Sequence, residues 1–355
     1  MKISVLLPYK ENFSPNYAGA VSLFVKDTIL NSKYYKSTFV FGSMDFKKPF
    51  LRNYININLE KSMLQSNSKN YVKNFLEKEK KIGSDILEIH NRPNYIKYLN
   101  NISNKKIILY FHNDPLSMNG SKTINDRKLL LKTCYKIIFN SNWSKKRFFD
   151  NLTNKELLEQ KTSVCYQSAP PTKINFKKKD KIISFVGKLN TSKGYDLFGS
   201  AITKILDKHK DWSAIVIGDE PREKLIYNHK RLNITGFKTN TYILNKLKKV
   251  SISVVCSRWN EPFGRTSLEA SSRGCGVIIS NRGGLPETIT NGVILKDLSI
   301  KSLFKEIENL IKNQKRLKKL QIESLKNFKL SNHFISKKID DCRSNNLGSI
   351  VNINK

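Results

Sequence analysis

A chain of 355 residues is longer than one hydrophobic core usually serves and suits two domains. Its 39% apolar content supports globular cores, and no apolar run approaches the roughly 18 residues that a membrane-spanning helix needs. The formal charge of +35 admits three readings: a nucleic-acid partner, an anionic membrane surface or acidic acceptor, and a Lys-, Asn- and Ile-rich composition whose charge is solvated surface. Lysine is spread over the whole length, which favours the last.

Met1–Pro8 is apolar but stops at Pro8, with Lys10 and Glu11 close behind. It is short for a signal peptide, lacks a small-residue cleavage site, and reads as a first buried strand. Strand candidates follow at 3–7, 37–41, 86–89, 106–111, 136–139 and 163–166, with helix candidates such as 21–30, 68–79 and 125–133 between them. The segment 140–149 reads as a strand end, a Ser or Asn cap and a new helix. Strand and helix alternation predicts a parallel, doubly wound sheet. The pattern breaks at 168–173, where Pro170 and Pro171 precede Lys177, Lys178 and Lys179, so an interdomain linker is expected there. Alternation restarts at 182–186, 214–217, 233–235, 251–255 and 277–279, a second α/β domain. The tail 302–330 is basic and helical. The domains are expected at 1–172 and 180–330. Five scattered cysteines without metal spacing suggest buried thiols in a reducing, cytoplasmic setting.

The stretch Glu261-Pro-Phe-Gly-Arg-Thr-Ser-Leu-Glu269 carries the most chemistry. A buried strand precedes it, a Pro-Phe-Gly turn follows the first carboxylate, and a helix runs through the second and stops at Gly274. A strand, a tight loop and a helix N-terminus suit an anionic or polyhydroxyl ligand. The backbone N–H groups of Phe263, Gly264 and Arg265 are expected to point out of that loop. Glu261 would sit at the loop and Glu269 about two turns deeper, each able to accept bonds from sugar hydroxyls. A second strand and a Gly-Gly-Leu-Pro-Glu loop end at Glu287. Upstream, the 185–194 segment combines a strand, Gly187, which lets a ligand approach, and Lys188 and Lys193 flanking a loop. It lacks the order of a Walker loop. The two lysines could stabilise charge on a departing diphosphate. No Asp-x-Asp motif stands at a strand end, so no metal is expected. Asp340 and Asp341 read as surface residues of the tail.

The 261–287 segment resembles the donor-binding signature of family 4 glycosyltransferases, which are retaining enzymes of the GT-B fold. The 185–194 segment is similar to their Gly-Arg-Leu-x-x-x-Lys-Gly element, with Lys188 where Arg is usual. That substitution keeps the charge and loses the bidentate fork. The resemblance implies two Rossmann-like domains facing a central cleft, with a last helix at about 333–345 packing back on the first. It implies Lys188 and Lys193 at the diphosphate, Glu269 at the ribose, and Glu261 with the Phe263–Gly264 backbone at a hexose, beside Arg265 and Thr266. Thr235-Gly236-Phe237 resembles the turn that reads the base, and Gly218-Asp219 a structural turn of the same domain. Gly19 matches the second glycine of a loop that approaches the diphosphate, with Ala18 in place of the first. An ordinary strand-to-helix turn is the competing reading there. His112 ends a strand where the family places a His near the reacting sugar; His90 ends the preceding strand and competes for the role. Asp114 is read as a turn residue before Pro115, and Arg258 and Trp259 as neighbours of the donor pocket.

The resemblance implies a cytoplasmic hexosyltransferase that needs neither cofactor nor metal. It would take a nucleotide-sugar donor and a glycan or lipid-linked acceptor, with a cell-envelope product such as lipopolysaccharide. Retention would proceed by front-face substitution, with the leaving phosphate oxygen helping to deprotonate the acceptor. The basic aromatic stretch 144–149 permits contact with an anionic membrane. Rival readings are a nucleotide-sugar epimerase, a phosphorylase (for which no pyridoxal-lysine pattern is evident), and a basic nucleic-acid-binding protein. The last would need basic residues and exposed aromatics gathered in one groove, so no nucleic-acid partner is expected.

Overall fold

The computed structural model describes residues 1–58, 66–99, 105–153 and 160–344. The chain divides into two compact units, one of Met1–Ser168 with Asn332–Lys355 and one of Ala169–Ser331.

The first unit is built on a parallel sheet of β1 (Ile3–Leu6), β2 (Thr38–Gly42), β3 (Tyr54–Asn56), β4 (Ile86–His90), β5 (Lys106–Phe111), β6 (Lys136–Phe139) and β7 (Thr162–Val164). Its order is β3-β2-β1-β4-β5-β6-β7. Helices cover both faces of such a sheet, so its strands read as unbroken apolar runs rather than alternating ones. Ile86, Leu87 and Ile89 of β4 are all buried. The helices among the described residues begin with α1 (Ala20–Leu30), α2 (Asn67–Ile82), α3 (Ile124–Thr133) and α4 (Asn142–Phe148). Local chemistry sets their ends. Thr123 and Asp126 form a reciprocal capping box on α3, and Gly83, at φ +63°, closes α2 in the left-handed conformation.

The second unit repeats the plan with β8 (Asp180–Val186), β9 (Ser213–Ile217), β10 (Leu232–Ile234), β11 (Val250–Val255), β12 (Gly276–Ser280) and β13 (Val293–Leu295), in the order β10-β9-β8-β11-β12-β13. Its helices are α5 (Tyr195–Lys208), α6 (Asn240–Leu247), α7 (Arg265–Ser271), α8 (Ile300–Lys312) and α9 (Gln314–Lys326). Leu303, Ile307, Leu310 and Ile311 form the buried stripe of α8, packed with Ile202 and Ile205 of α5. The last helix, α10 (Asn332–Ser344), belongs to the first unit. Position 345, the expected end of that helix, lies outside the described residues.

The boundary between the units falls at Ser168 and Ala169, at the start of the 168–179 stretch, and from Ala169 onward the chain is packed into the second unit. Arg273 donates to the Pro170 carbonyl at 2.8 Å, and the Lys179 ammonium donates to the carbonyls of Val250 and Arg273 at 2.7 and 2.8 Å. Asp340 is buried, not a surface residue; it accepts from Ser32 and Arg343 at 2.7 and 2.8 Å. β3 and β13 escape the sequence reading because a run of three residues shows no period. All five cysteines are free and buried. Among the described residues no helix is long and apolar enough to cross a membrane.

Candidate active site

In the second unit the strand order reverses between β8 and β11. Ligands of open α/β sheets bind beyond the carboxyl ends of the strands at such a switch point. The two loops leaving that point are 187–194 and 256–264, the segments that carry Lys188, Lys193 and Glu261. Gly187 leaves β8 at φ +151°, and an added Cβ there would meet nothing within 4 Å. Asn190 caps the next turn, its side chain accepting from the Lys193 N–H at 3.0 Å. Gly194, at φ +74°, closes the turn. A Cβ there would lie 2.0 Å from the Cys256 carbonyl oxygen, so only glycine lets the two loops touch.

This close approach brings Lys193 to Glu261. The ammonium lies 2.5 Å from Glu261 Oε1, and the Ser257 hydroxyl donates to the same oxygen at 2.6 Å. The backbone of Glu261 is gripped by the Gly-Gly loop: its carbonyl accepts from the Gly284 N–H at 2.7 Å. A Cβ on Gly283 would sit 2.2 Å from that same carbonyl oxygen. The sequence separation between Glu261 and the two glycines therefore has a structural cause. Phe263 is buried, and Gly264, at φ +117°, opens α7. Arg265 and Thr266 occupy its first turn, half-buried.

Glu269 faces a different set of partners. Its Oε1 accepts from Arg265 Nε and from Asn240 Nδ2, both at 2.7 Å. Asn240 begins α6, just after Gly236, whose carbonyl accepts from the Gly218 N–H at 2.9 Å. Lys188 is exposed. It lies near enough to Glu220 to help Arg222, the larger cause, hold that carboxyl down to about 2. Glu220 also accepts from Asn190 at 3.3 Å. Arg258 pairs with Asp196 and donates to the Thr191 carbonyl, so it braces the Lys193 loop; Trp259 beside it is exposed. Asn190, Ser257 and Asn240 carried no signal in the sequence reading. Only the helix-cap pattern before Thr191 could have pointed to Asn190.

The remaining candidates lie in the first unit. Gly19 is the N-cap of α1, and a Cβ there would lie 3.0 Å from the Glu11 carboxylate, which accepts from the Ser22 hydroxyl at 2.8 Å. The Glu11 carboxylate thus holds the first turn of α1. Asp114 caps a short 3-10 turn and pairs with Arg147 at 3.1 Å. His90 and His112 are brought together at adjacent strand ends, with His90 Nδ1 and His112 Nε2 3.0 Å apart. Asn91, at φ +55°, accepts from the His112 and Asn113 N–H groups at 3.1 Å each. Burial would raise the Glu88 carboxyl, but the Arg343 guanidinium outweighs it and holds the group well below the usual carboxylate range. Burial lowers both imidazoles, His112 the further.

These shifts set a pH dependence of stability. An unfolded imidazole binds a proton near pH 6.5, and the folded pair resists it. Below that pH the unfolded chain binds more protons, so this contribution is complete above about pH 6.5 and is lost as pH falls. Glu88 acts in the same direction below about pH 4.5. Denaturant titrations from pH 8 to pH 5 should show falling stability, with a shallower slope in His112→Gln. A wild-type stability that stays level across this range would refute the neutral pair.

Comparison with known proteins finds similarity in sequence and in fold. Residues 169–326 match the family described as Glycosyl transferases group 1. A putative glycosyltransferase of Bacillus subtilis, YtcC, is 26% identical over 66% of this chain and 66% of its own length. The match spans only 42% and 40% of the length of two further curated relatives. The crystal structure of HepE from Anabaena in complex with UDP-glucose superposes with a TM-score of 0.75 at 16% identity, over 97% of this chain and 100% of that one. The apo lipopolysaccharide outer core galactosyltransferase WaaB gives 0.68 at 15% identity, over 98% and 100%. The fold class is GT-B, and the family match lies within the second unit.

Proposed function

We propose that this protein is a retaining glycosyltransferase of the family 4 type. It would move a hexose from a nucleotide-diphosphate sugar, bound by the second unit, to a glycan or lipid-linked acceptor served by the first. The observation that carries this reading is the pairing of Lys193 with Glu261 at the switch point. A cation poised there can exchange a carboxylate for a diphosphate and then stabilise the charge that builds as the nucleotide leaves. Glu261, released, can accept from hydroxyls of the sugar. Glu269 keeps an orientation fixed by Arg265 and Asn240 and would accept from the ribose. The product would belong to the cell envelope, such as a lipopolysaccharide. Lysines and backbone amides suffice for the diphosphate, so the reaction needs no metal.

A panel of nucleotide sugars tests this reading, scored by donor hydrolysis in the presence of EDTA. At least one donor should be consumed; no turnover with any donor refutes it, and turnover that EDTA abolishes and magnesium restores refutes metal independence. Calorimetry with the free nucleoside diphosphate separates the two glutamates. Glu269→Gln should weaken binding by roughly tenfold to a hundredfold, as expected for charge-assisted bonds of about 1.5–3 kcal/mol. Glu261→Gln should leave nucleotide affinity nearly unchanged and lower turnover. Equal losses in both variants would contradict the assignment.

A further inference from the structure

The second unit holds a cavity of about 360 Å³ at the amino ends of β8, β9 and β10. This is the other end of the sheet from the loops that carry Lys188 and Lys193. Along β8, Ile182 in the cavity precedes Gly187 by roughly 17 Å. The sheet order explains the opening. α6 packs against β11, and β11 lies on the far side of β8 from β9 and β10. A helix of 8 residues spans roughly 12 Å, so α6 leaves the starts of β9 and β10 open on this face. Strand register places Ile182, Ser213, Ile215 and Asn233 on one face. Ile182 and Ile215 belong to the apolar cluster that includes Ile243 and Leu247 of α6, and they form the floor of the cavity.

The other side chains around that floor are cationic. Lys230, Arg231 and Lys246 line the cavity and no carboxylate does. Arg231 is held by the carbonyls of Trp212, at 3.0 Å, and Leu206, which fix the guanidinium without cancelling its charge. Two carboxylates that precede β9 are committed elsewhere: Asp211 lies 2.5 Å from Lys181 and Asp207 3.4 Å from His229. Among the described residues no carboxylate pairs with Lys230, Arg231 or Lys246. Most lysines of this chain are scattered over solvated surface. Here three cations converge on isoleucine side chains, which raises the local potential and favours an anion that also displaces water from apolar surface. The volume falls within the range of small-molecule sites, about 300–1,000 Å³.

We propose that this cavity binds a small amphiphilic anion, with a phosphate or carboxylate held by Lys230, Arg231 and Lys246 and an apolar part laid on Ile182 and Ile215. Asn233 adds an amide beside the head group. The site rests on the second unit alone and is independent of glycosyl transfer.

Isoleucine-methyl NMR of the intact protein tests it, with Ile182→Val and Ile215→Val assigning the two floor signals. The probes are hexyl phosphate, hexanoate, inorganic phosphate and 1-hexanol. Both floor signals should shift saturably with hexyl phosphate, hexanoate or both, and the one effective at lower concentration identifies the head group. Hexanol and inorganic phosphate should each need at least about tenfold more, because each offers only half of the contact. Lys230→Glu and Lys246→Glu should each weaken binding of the anions about tenfold. Raised salt should weaken it in the wild-type protein, whatever the variants do, and leave hexanol unaffected. Floor signals unmoved by either amphiphile overturn the site. Hexanol as effective as the anions overturns the role of the cations, and inorganic phosphate as effective overturns the apolar contact. Shifts lost in Lys193→Ala and kept in Lys246→Glu would place the anion at the 187–194 loop instead and overturn the proposal.

Discussion

Arg343→Ala should destabilise the protein by about 3–5 kcal/mol, the cost of leaving a buried carboxylate without its partner. The guanidinium is 1% exposed and serves Glu88, Ser32 and Asp340 at once. Its removal strands the Glu88 charge among apolar strands and takes away one of the polar anchors of α10, leaving the bonds of Asp340 to Ser32 and of Ser336 to the Thr28 carbonyl. Chemical denaturation gives the measurement, and a loss below 1 kcal/mol would mean that the pair is dispensable. Removing both charges is a different experiment. The double variant Glu88→Gln, Arg343→Met should recover much of the loss, because a buried ion pair owes little net stability to its charges once desolvation is counted.

The second large effect concerns turnover. Lys193→Ala should lower kcat by roughly 10²–10³, the range seen when one preorganised donor to a developing negative charge is removed. The Glu261 carboxylate, mostly buried, would keep the Ser257 hydroxyl but lose its cation. That leaves negative charge where the diphosphate must enter, so KM should rise as well. Lys193→Arg should retain most activity, since it restores a cation within reach of both groups. Lys188→Arg should be tolerated, because this residue is exposed and its carboxylate neighbour Glu220 already has Arg222. Wild-type kinetics in purified, folded Lys193→Ala would remove Lys193 from the diphosphate site. Glu261→Gln in the same background should relieve part of the KM effect, as the two residues are in contact and their changes should not add.

The sequence by itself determined most of the strands and the two parallel sheets, though not the three-residue strands β3 and β13. Strands buried on both faces appear as short continuous apolar runs, and helices in between carry their own caps and stop signals. Both are local properties, readable within a window of a dozen residues. It also marked the loops that leave β8 and β11, because glycine is required wherever a backbone turns left-handed or approaches another. Gly187, Gly194, Gly264 and Gly283 each do one or both.

Only the tertiary structure decided who partners whom. Lys193 and Glu261 stand 68 positions apart, and Asn240 and Glu269 stand 29 apart. No periodicity links such residues; the sheet order does, by placing β11 beside β8. Arg343 and Glu88 are 255 positions apart and meet because α10 belongs to the first unit. The same remoteness explains the misread surface role of Asp340. In a lysine-rich tail, a charged residue looks solvated unless its partner is known, and here the partners are Ser32, 308 positions away, and a neighbouring arginine that is itself buried. Burial of a charge is a property of the assembled interior, because only there do the opposite charges and hydrogen bonds that make it tolerable come together.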